Sequence, residues 1–333
     1  MSRLRVGVVG VGHLGRIHAR IYAEHPEAEL VAVVDADGAR AREVADETDC
    51  RACTELAELP DDIDAVSVVV PTVNHEEVAV PLLERGVPCL IEKPLAGDLK
   101  EADRILAAAE RGGTHVAVGH VERFQPGVLR IRELGLRPRF IECHRLTAFS
   151  FRSIDIGVVH DLMIHDLDLV LHLVGSEVES IDASGGSIIT GSEDVASVRI
   201  VFADGARANV TASRVSLTPM RRFRLFSGES YVSLDFTKNY ALIVRKGPEW
   251  ERGRAELQTL DPTELAARED FITGDMLQVD ELELQGERPL QAELDSFLGS
   301  VRAGVAPEVP GEDGRRALAL ADRIVAEIRS HAW

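Results

Sequence analysis

The stretch Arg5–Gly15 reads RVGVVGVGHLG and decides the fold. Its first half is an apolar, β-branched run that is typical of a buried strand, and a helical pattern begins at His13. Between the strand and the helix, glycines are spaced as G-x-G-x-x-G: Gly10, Gly12 and Gly15. A turn of this kind at the N-terminus of a helix offers backbone N–H groups and a partial positive charge to phosphates. The stretch therefore predicts a site for the pyrophosphate of a dinucleotide.

The glycines have separate roles in such a turn. Gly10 permits the tight turn, Gly12 lets a pyrophosphate approach the backbone, and Gly15 lets the helix pack closely on the sheet. His13 and Leu14 lie between these glycines and complete the predicted cofactor-binding turn.

An acidic residue follows the second predicted strand, Leu30 to Val34. Asp35 lies 20 residues after Gly15. At that position a carboxylate accepts hydrogen bonds from the ribose hydroxyls of the adenosine half and repels a 2′-phosphate. We therefore expect the cofactor to be NAD rather than NADP.

Short apolar strands alternate with helical stretches through the first third of the chain. The predicted strands are Arg5 to Val9, Leu30 to Val34, Ala65 to Val70, Pro88 to Ile91 and His115 to Gly119. Strands that are apolar throughout and separated by helical crossovers indicate a parallel sheet covered on both faces. The sequence thus predicts an N-terminal Rossmann domain, an α/β doubly wound parallel sheet, over residues 1–121.

The pattern changes after about Arg139. One helical segment, Val158 to Val174, is followed by strand-like runs without helical crossovers between them. Consecutive strands joined by short turns, such as Ala203-Asp204-Gly205, indicate an antiparallel sheet. We predict a C-terminal α+β domain over residues 122–333, built on a large, mostly antiparallel open sheet, for substrate binding and oligomerisation.

The composition excludes several classes of partner. The chain has 37 basic and 56 acidic residues, a formal charge of −19, which repels nucleic acid and anionic lipid. No run approaches the roughly 20 apolar residues that a bilayer helix needs, and the first residues show no signal-peptide pattern. Four scattered cysteines fit a reduced compartment better than a disulfide framework. We expect a cytoplasmic protein that binds neither nucleic acid nor membrane, and no metal.

Short motifs occur in a fixed order along nearly the whole chain. They are the glycine turn with Arg16-Ile17-His18-Ala19 after it, Pro71-x-x-x-His75, Glu92-Lys93-Pro94, Asp161-x-x-x-His165 and Glu312-Asp313-Gly314. Together they resemble the Gfo/Idh/MocA family of sugar and polyol dehydrogenases. The resemblance implies an NAD-dependent oxidoreductase that removes hydride from a sugar or polyol hydroxyl.

The resemblance also implies which residues act at the cofactor. Lys93, at the carboxyl end of a parallel strand, would hold the reacting oxygen and stabilise the developing alkoxide. In the family this lysine precedes a cis proline, so the Lys93–Pro94 bond is expected to be cis. Further cofactor contacts are expected from neighbours in these motifs: Pro71, Thr72, His75 and Glu92.

Polar residues repeat at helical intervals along the predicted helix: Asp161, His165, Asp168 and His172. His165 is the candidate general base, because the unperturbed pKa of histidine, about 6.5, lets it accept a proton at working pH. Asp161, one turn earlier, would orient His165 or bind a neighbouring hydroxyl. Asp166 would reach the substrate, whereas Asp168 and His172 are expected to be structural.

The segment Gly119–Pro126, with His165-Asp166-Leu167-Asp168, resembles the branch of the family that oxidises the C3 hydroxyl of UDP-N-acetylglucosamine. The related pattern more often has Asn where this chain has Gln125. A nucleotide sugar carries a diphosphate, which arginine binds well. The expected substrate contacts are therefore Arg123, Gln125, Arg145 and Arg152, together with Asp161, His165 and Asp166.

Two other functions stay open. The first is an inositol or free-sugar dehydrogenase of the same family, which would take a neutral polyol. The second is an NAD-binding sensor that does not turn over. The joint presence of Lys93, Asp161 and His165 argues against the sensor, which would need none of them.

The C-terminal sheet is also the predicted site of self-association. Val198, Ile200 and Phe202 alternate along one strand-like run, and we expect them to lie on an exposed face that needs covering. The family resemblance implies that such a face is covered by the same face of a second subunit. The sequence therefore predicts a homodimer or homotetramer that assembles through this sheet.

Overall fold

The structure is a computed structural model that describes residues 2–150, 156–257, 272–284 and 288–331. The chain divides into two compact units. The first comprises Met1–Phe124 and Arg288–Asp322, and the second comprises Gln125–Glu287 and Arg323–Trp333.

The first unit contains a parallel sheet of six strands. The strands are β1 (Leu4–Val9), β2 (Ala28–Val34), β3 (Arg51–Cys53), β4 (Ala65–Val68), β5 (Cys89–Glu92) and β6 (Val116–Gly119). Their order in the sheet is β3-β2-β1-β4-β5-β6. This order confirms the predicted doubly wound Rossmann sheet, in which the strand order reverses beside β1.

Helices cover both faces of this sheet. They are α1 (His13–Glu24), α2 (Gly38–Thr48), α3 (His75–Glu84) and α4 (Leu99–Gly112), and later in the chain α8 (Pro289–Ala303) and α9 (Gly311–Ser330). One core cluster joins α1, α2 and α8 to one face, and another joins α3 and α4 to the other. The apolar faces of the helices thus account for the uniformly apolar strands.

The second unit is built on a sheet of eight strands. They are β7 (Phe140–Leu146), β8 (Val178–Gly186), β9 (Val195–Phe202), β10 (Arg207–Ser213), β11 (Met220–Phe226), β12 (Ser230–Asp235), β13 (Tyr240–Lys246) and β14 (Leu277–Glu283). Their order is β14-β13-β12-β11-β7-β10-β9-β8, and every pair is antiparallel except β7 with β10. The predicted large, mostly antiparallel sheet is confirmed.

The described helices of the second unit are α5 (Pro126–Glu133), α6 (Ile164–Val174) and α7 (Trp250–Leu257). A π-helical turn, Val159–Met163, leads directly into α6. No helix among the described residues is both long and apolar enough to cross a membrane.

The units divide the chain differently from the predicted domains. Residues 288–322 belong with the first unit, whereas a single domain was predicted over residues 122–333. The reason is the apolar face of α8, since Leu294, Phe297 and Leu298 are buried in the same cluster as Val8 and Tyr22. A sequence pattern identifies an amphipathic helix but does not say which sheet it covers.

One expectation about the second sheet is wrong. Val198, Ile200 and Phe202 are at most 2% exposed, so they lie on the covered face and not on an open one. Their neighbours Ser197 and Arg199 are exposed instead. Alternation along a strand shows that its two faces differ, and an apolar set is buried within the subunit by default.

Candidate active site

The glycine turn between β1 and α1 has the backbone that the sequence predicts. Gly10 has a positive φ of 86°, a conformation that side-chain-bearing residues rarely adopt. A Cβ on Gly15 would overlap the carbonyl oxygen of Gly10. A Cβ on Gly12 would meet no protein atom within 4 Å. Packing within the protein therefore requires glycine at 10 and 15, while the space above Gly12 fits a ligand that approaches the backbone.

A cleft of about 830 Å³ opens beside this turn in the first unit. Its walls come from the carboxyl ends of β1, β2, β4 and β5, which is where doubly wound sheets bind ligands. Of the predicted cofactor residues, the cleft is lined by Gly10, Gly12, Leu14, Asp35, Pro71, Thr72, Glu92 and Lys93. The structure thus brings together residues from four separate motifs in one place.

Asp35 connects the second strand to the glycine turn. Its carboxylate accepts hydrogen bonds from the N–H of Val11 at 3.0 Å and from the N–H of Asp37 at 2.9 Å. Nη1 of Arg40 lies 3.2 Å from Oδ1 of the same carboxylate. Arg40 also lines the cleft and was not among the predicted residues. Its position one turn into α2, five residues after Asp35, is the signal that could have identified it.

Three predicted cofactor residues do not line the cleft. Gly15 acts through packing, and His13 is exposed. His75 is 1% exposed, with Nε2 3.0 Å from the carbonyl oxygen of Val70 and Nδ1 3.2 Å from that of Leu95. Burial lowers the pKa of His75. The imidazole therefore joins the segments after β4 and β5 from inside the unit, and the predicted contact with the cofactor is replaced by a structural one.

Lys93 follows β5 at the edge of the cleft. The Lys93–Pro94 peptide bond is cis, as the family resemblance implied. The backbone N–H of Lys93 donates to Oε2 of Glu92 at 3.2 Å. The side chain of Lys93 is half-buried and lines the same cleft as Gly12 and Asp35. The cleft is therefore lined by the lysine of the Glu92-Lys93-Pro94 motif.

In the second unit, the residues Asp161 and His165 lie on either side of the transition from the π-helical turn to α6. Both are half-buried, as is His172, whereas Asp168 is 1% exposed. Asp168 is therefore buried, as expected of a structural residue, while Asp161, His165 and His172 are each partly accessible. π-Helical turns recur at functional sites, but the sequence pattern did not reveal this one.

Asp166 forms a buried ion pair with Arg145 of β7. Nε and Nη2 of Arg145 donate to the two carboxylate oxygens, each at 2.8 Å. The side chains are 7% and 5% exposed. This fork-to-fork geometry satisfies both charges inside the unit. Asp166 and Arg145 were predicted to contact the substrate, and the structure instead pairs them with each other.

Arg123 also differs from its predicted role. It is 1% exposed, and its Nη1 lies 2.8 Å from Oδ2 of Asp313. Two motifs that resemble the family and lie far apart in the sequence are therefore in contact within the first unit. Gln125 directly precedes α5 and is half-buried. Arg152 lies outside the described residues.

The β8–β9 loop supports the start of the helical segment that carries Asp161. The carbonyl oxygen of Glu193 accepts the N–H of Val158 at 2.9 Å, and its carboxylate accepts the N–H of Val159 at 3.3 Å. The residue at the N-cap, Val158, has no side chain that could cap the helix. Glu193 therefore supplies from a distant loop the acceptors and the negative charge that a helix N-terminus requires.

Asp194 holds that loop in place. Its buried carboxylate accepts the N–H groups of Ile188, Ile189 and Thr190 and the hydroxyl of Thr190. Burial alone would raise the pKa of Asp194, but these donors outweigh it and lower the pKa to about 2. Neither Glu193 nor Asp194 was predicted, because nothing in the sequence links them to residues 157–165.

Comparison with known proteins agrees with this geometry. Residues 4–120 match the oxidoreductase family with an NAD-binding Rossmann fold, and residues 137–230 match the GFO/IDH/MocA C-terminal domain. The chain is 38% identical to a UDP-N-acetylglucosamine 3-dehydrogenase of Acidithiobacillus ferrooxidans, over 96% of each chain. It is 25% identical to an inositol 2-dehydrogenase of Rhizobium meliloti, over 98% of this chain and 97% of that protein.

A solved structure of the Acidithiobacillus ferrooxidans enzyme superimposes with a TM-score of 0.86 at 36% identity, covering 99% of both chains. The two family matches fall on the Rossmann sheet and on the large sheet of the second unit. The cofactor that fits the glycine turn and Asp35 is NAD, as the sequence predicts. The chain belongs to the Gfo/Idh/MocA family of NAD-binding oxidoreductases.

Proposed function

We propose that this protein oxidises a secondary hydroxyl of a sugar, the C3 hydroxyl of a UDP-N-acetylhexosamine, with NAD as the hydride acceptor. One observation carries the oxidation: Lys93 lines the same cleft as Gly12 and Asp35. The substrate is supported by the 38% identity to a UDP-N-acetylglucosamine 3-dehydrogenase over nearly the full length of both chains.

Bound NAD supplies the hydride acceptor, C4 of its nicotinamide ring. Lys93 holds the oxygen of the reacting hydroxyl and stabilises the negative charge that develops there. His165 accepts the hydroxyl proton, and Asp161 orients the imidazole or binds an adjacent hydroxyl. When the hydroxyl proton passes to His165 and the bound cofactor is available to accept hydride from the carbon, the product would be a ketone.

The remaining proposed substrate contacts are Gln125 and Arg152. Asp35 selects NAD, because its carboxylate would repel a 2′-phosphate. Leu14, Pro71, Thr72 and Glu92 contribute further walls of the cofactor cleft. We also propose that the enzyme works in the cytoplasm, where its cysteines stay reduced; all four are free in the structure.

A second candidate is an inositol or free-sugar dehydrogenase. The observation that favours it is the pairing of two candidate arginines, since Arg123 contacts Asp313 and Arg145 contacts Asp166. Both guanidinium groups are buried against carboxylates, so neither is positioned to bind a diphosphate. A neutral polyol would need no such arginine.

Isothermal titration of the NADH-loaded protein distinguishes these candidates. We expect UDP-N-acetylglucosamine to bind, and myo-inositol to give no heat at the same concentration. Heat from myo-inositol alone would contradict the nucleotide-sugar assignment and support the polyol. Asp161→Asn serves as the matched variant, because it should weaken binding of whichever compound is the substrate.

We further propose that the protein is a homodimer or homotetramer that uses the open face of the large sheet. An apolar row crosses four adjacent strands on that face: Val244, Tyr231, Phe226 and Phe140. All four are half-buried, and the rings of Phe226 and Tyr231 lie 4.8 Å apart. Tyr231→Glu should shift the mass measured by sedimentation to that of a monomer; an unchanged mass would contradict assembly through this row.

A further inference from the structure

His18 is a buried histidine beside the cofactor cleft that the proposed mechanism does not use. It lies on the inner face of α1, between Gly15 and Tyr22, and is 0% exposed. Its Nε2 lies 3.3 Å from Oε1 of Glu92. Neither ring nitrogen forms an aligned hydrogen bond with any residue that the structure describes. A buried polar group without aligned hydrogen bonds carries a free-energy cost, so its presence calls for a reason.

The neighbour of His18, Glu92, links it to the cofactor cleft. Its carboxylate lines the cofactor cleft, and its Oε2 accepts the N–H of Lys93. A Cβ on Gly119 would come within 2.8 Å of the carboxylate carbon, so glycine at this position leaves the space that Glu92 occupies. Three elements therefore enclose one carboxylate: α1 through His18, β6 through Gly119, and the turn after β5 through Lys93.

The pair also connects two ends of the cleft. α1 begins at the glycine turn, which would hold the phosphates of the cofactor, and Glu92 ends β5 next to Lys93. His18 joins these two elements without touching the cleft itself, since it is absent from the cleft walls. Fixing the carboxylate in advance reduces the entropy that binding must otherwise overcome.

We propose that His18 is a positioning residue that fixes the Glu92 carboxylate, and through it the cofactor-facing end of β5, for binding NAD. This role goes beyond the oxidation of a sugar and does not depend on which hydroxyl is oxidised. His18 contacts neither the cofactor nor the reacting atoms. It acts through Glu92 alone.

The first test separates positioning from simple structural support. His18→Leu removes a buried imidazole that lacks aligned hydrogen bonds but also takes a neighbour from the buried Glu92 carboxylate; because these two effects oppose each other, the melting temperature should change little. The dissociation constant for NADH, measured by its fluorescence, should nevertheless increase about tenfold. His18→Gln keeps an N–H donor near the position of Nε2 and should restore binding to within about threefold of the original protein.

A matched control exists at the end of the same helix. Nε2 of His25 lies 3.0 Å from Oδ1 of Asp295, a similar histidine–carboxylate pair away from the cleft. His25→Leu should leave NADH binding unchanged. Gly119→Ala, which crowds the Glu92 carboxylate from β6, should weaken NADH binding in the same way as His18→Leu.

A double-mutant cycle tests the route through Glu92. If His18 acts only on that carboxylate, adding His18→Leu to Glu92→Gln should change the NADH dissociation constant much less than His18→Leu does alone. Additive effects would overturn the proposal. Unchanged NADH binding in His18→Leu would also overturn it, as would a lower melting temperature together with weak binding that His18→Gln fails to restore. Loss of sugar oxidation with NADH binding intact would count against the proposed function and not against this role.

Discussion

The cofactor cleft and the helical segment that carries Asp161 and His165 are built in different ways. In the cleft, each functional group comes from a short motif at the end of a parallel strand, and the sheet gathers the motifs at one edge. In the helical segment, the key supports come from distant parts of the chain, with Arg145 pairing to Asp166 and Glu193 capping the first turn. Local sequence therefore specifies the cofactor cleft, while packing within the second unit specifies the helical segment that carries Asp161 and His165.

The largest expected effect is at Lys93, where a substitution should reduce turnover much more than it weakens NADH binding. Lys93→Ala should reduce NADH formation by about 1000-fold, since it removes the charge that stabilises the reacting oxygen. NADH binding should change by less than about threefold, because the glycine turn and Asp35 remain. Turnover assays and NADH fluorescence measure the two quantities.

Lys100→Ala is the matched control for Lys93→Ala, because Lys100 is exposed on α4. It should leave both turnover and NADH binding unchanged. Undiminished turnover in Lys93→Ala would contradict the role of Lys93 and leave an NAD-binding protein whose chemistry lies elsewhere.

The second effect concerns the stability of the helical segment. Asp166→Ala removes the bidentate partner of Arg145 inside the unit and should lower the free energy of unfolding by about 3–5 kcal/mol. Urea denaturation measures it. Replacing both residues, as Arg145→Met with Asp166→Leu, should cost less than the single change, because no charge is then left buried alone.

An exposed ion pair provides the contrast. Glu76 of α3 pairs with Arg104 of α4 at side chains that are 29% and 54% exposed. Glu76→Gln should cost less than about 1 kcal/mol, because solvent screens the pair. If Glu76→Gln and Asp166→Ala lowered the free energy of unfolding equally, the buried pair would not stabilise the second unit more than an exposed pair does.

The third pair of changes separates stability from binding within the glycine turn. Gly15→Ala should lower the free energy of unfolding by about 1–3 kcal/mol, because its Cβ would overlap the backbone of Gly10. Gly12→Ala should leave stability unchanged, since its Cβ meets no protein atom, yet weaken NADH binding about tenfold. Thermal melting and NADH fluorescence give the two readouts. Equal destabilisation by both changes would contradict the ligand-facing role of Gly12.

The smallest expected effect is the acid sensitivity of the β8–β9 loop. The folded pKa of Asp194, about 2, lies below the ordinary value of 3.8. A depressed carboxyl pKa contributes stability that is present above about pH 4 and is lost as the pH falls toward 2. We expect about 1–2 kcal/mol from this group. Urea titrations across this pH range should show the loss in the original protein and a flatter profile in Asp194→Asn.

The sequence predicts most of the fold and most of the cofactor cleft. Gly10, Gly12, Asp35 and Lys93 could be assigned because their chemistry is set by neighbouring residues at a strand end, and the parallel sheet places such ends together. The mostly antiparallel second sheet followed from the change in hydrophobic pattern after Arg139, whereas the order of the strands in each sheet was not predicted.

The remaining features could not be predicted because they depend on contacts between distant residues. The family resemblance implied that His75 contacts the cofactor, but only packing decides that its ring faces the carbonyl groups of Val70 and Leu95. Likewise, the sequence around Arg123 suggests a phosphate ligand. Its burial against Asp313 depends on the folding of the unit and has no signal in the local sequence. The same reason applies to Glu193, whose capping role has no local signature.

The most direct test of the proposed function is NADH formation from NAD with UDP-N-acetylglucosamine or myo-inositol, each with and without a 2-oxo acid as hydride acceptor. The proposal predicts oxidation of UDP-N-acetylglucosamine, seen as NADH or, if the cofactor is recycled on the enzyme, as the 2-hydroxy acid. Lys93→Ala should abolish both signals. Turnover of myo-inositol with none of the UDP-sugar, or turnover of neither compound, would contradict it.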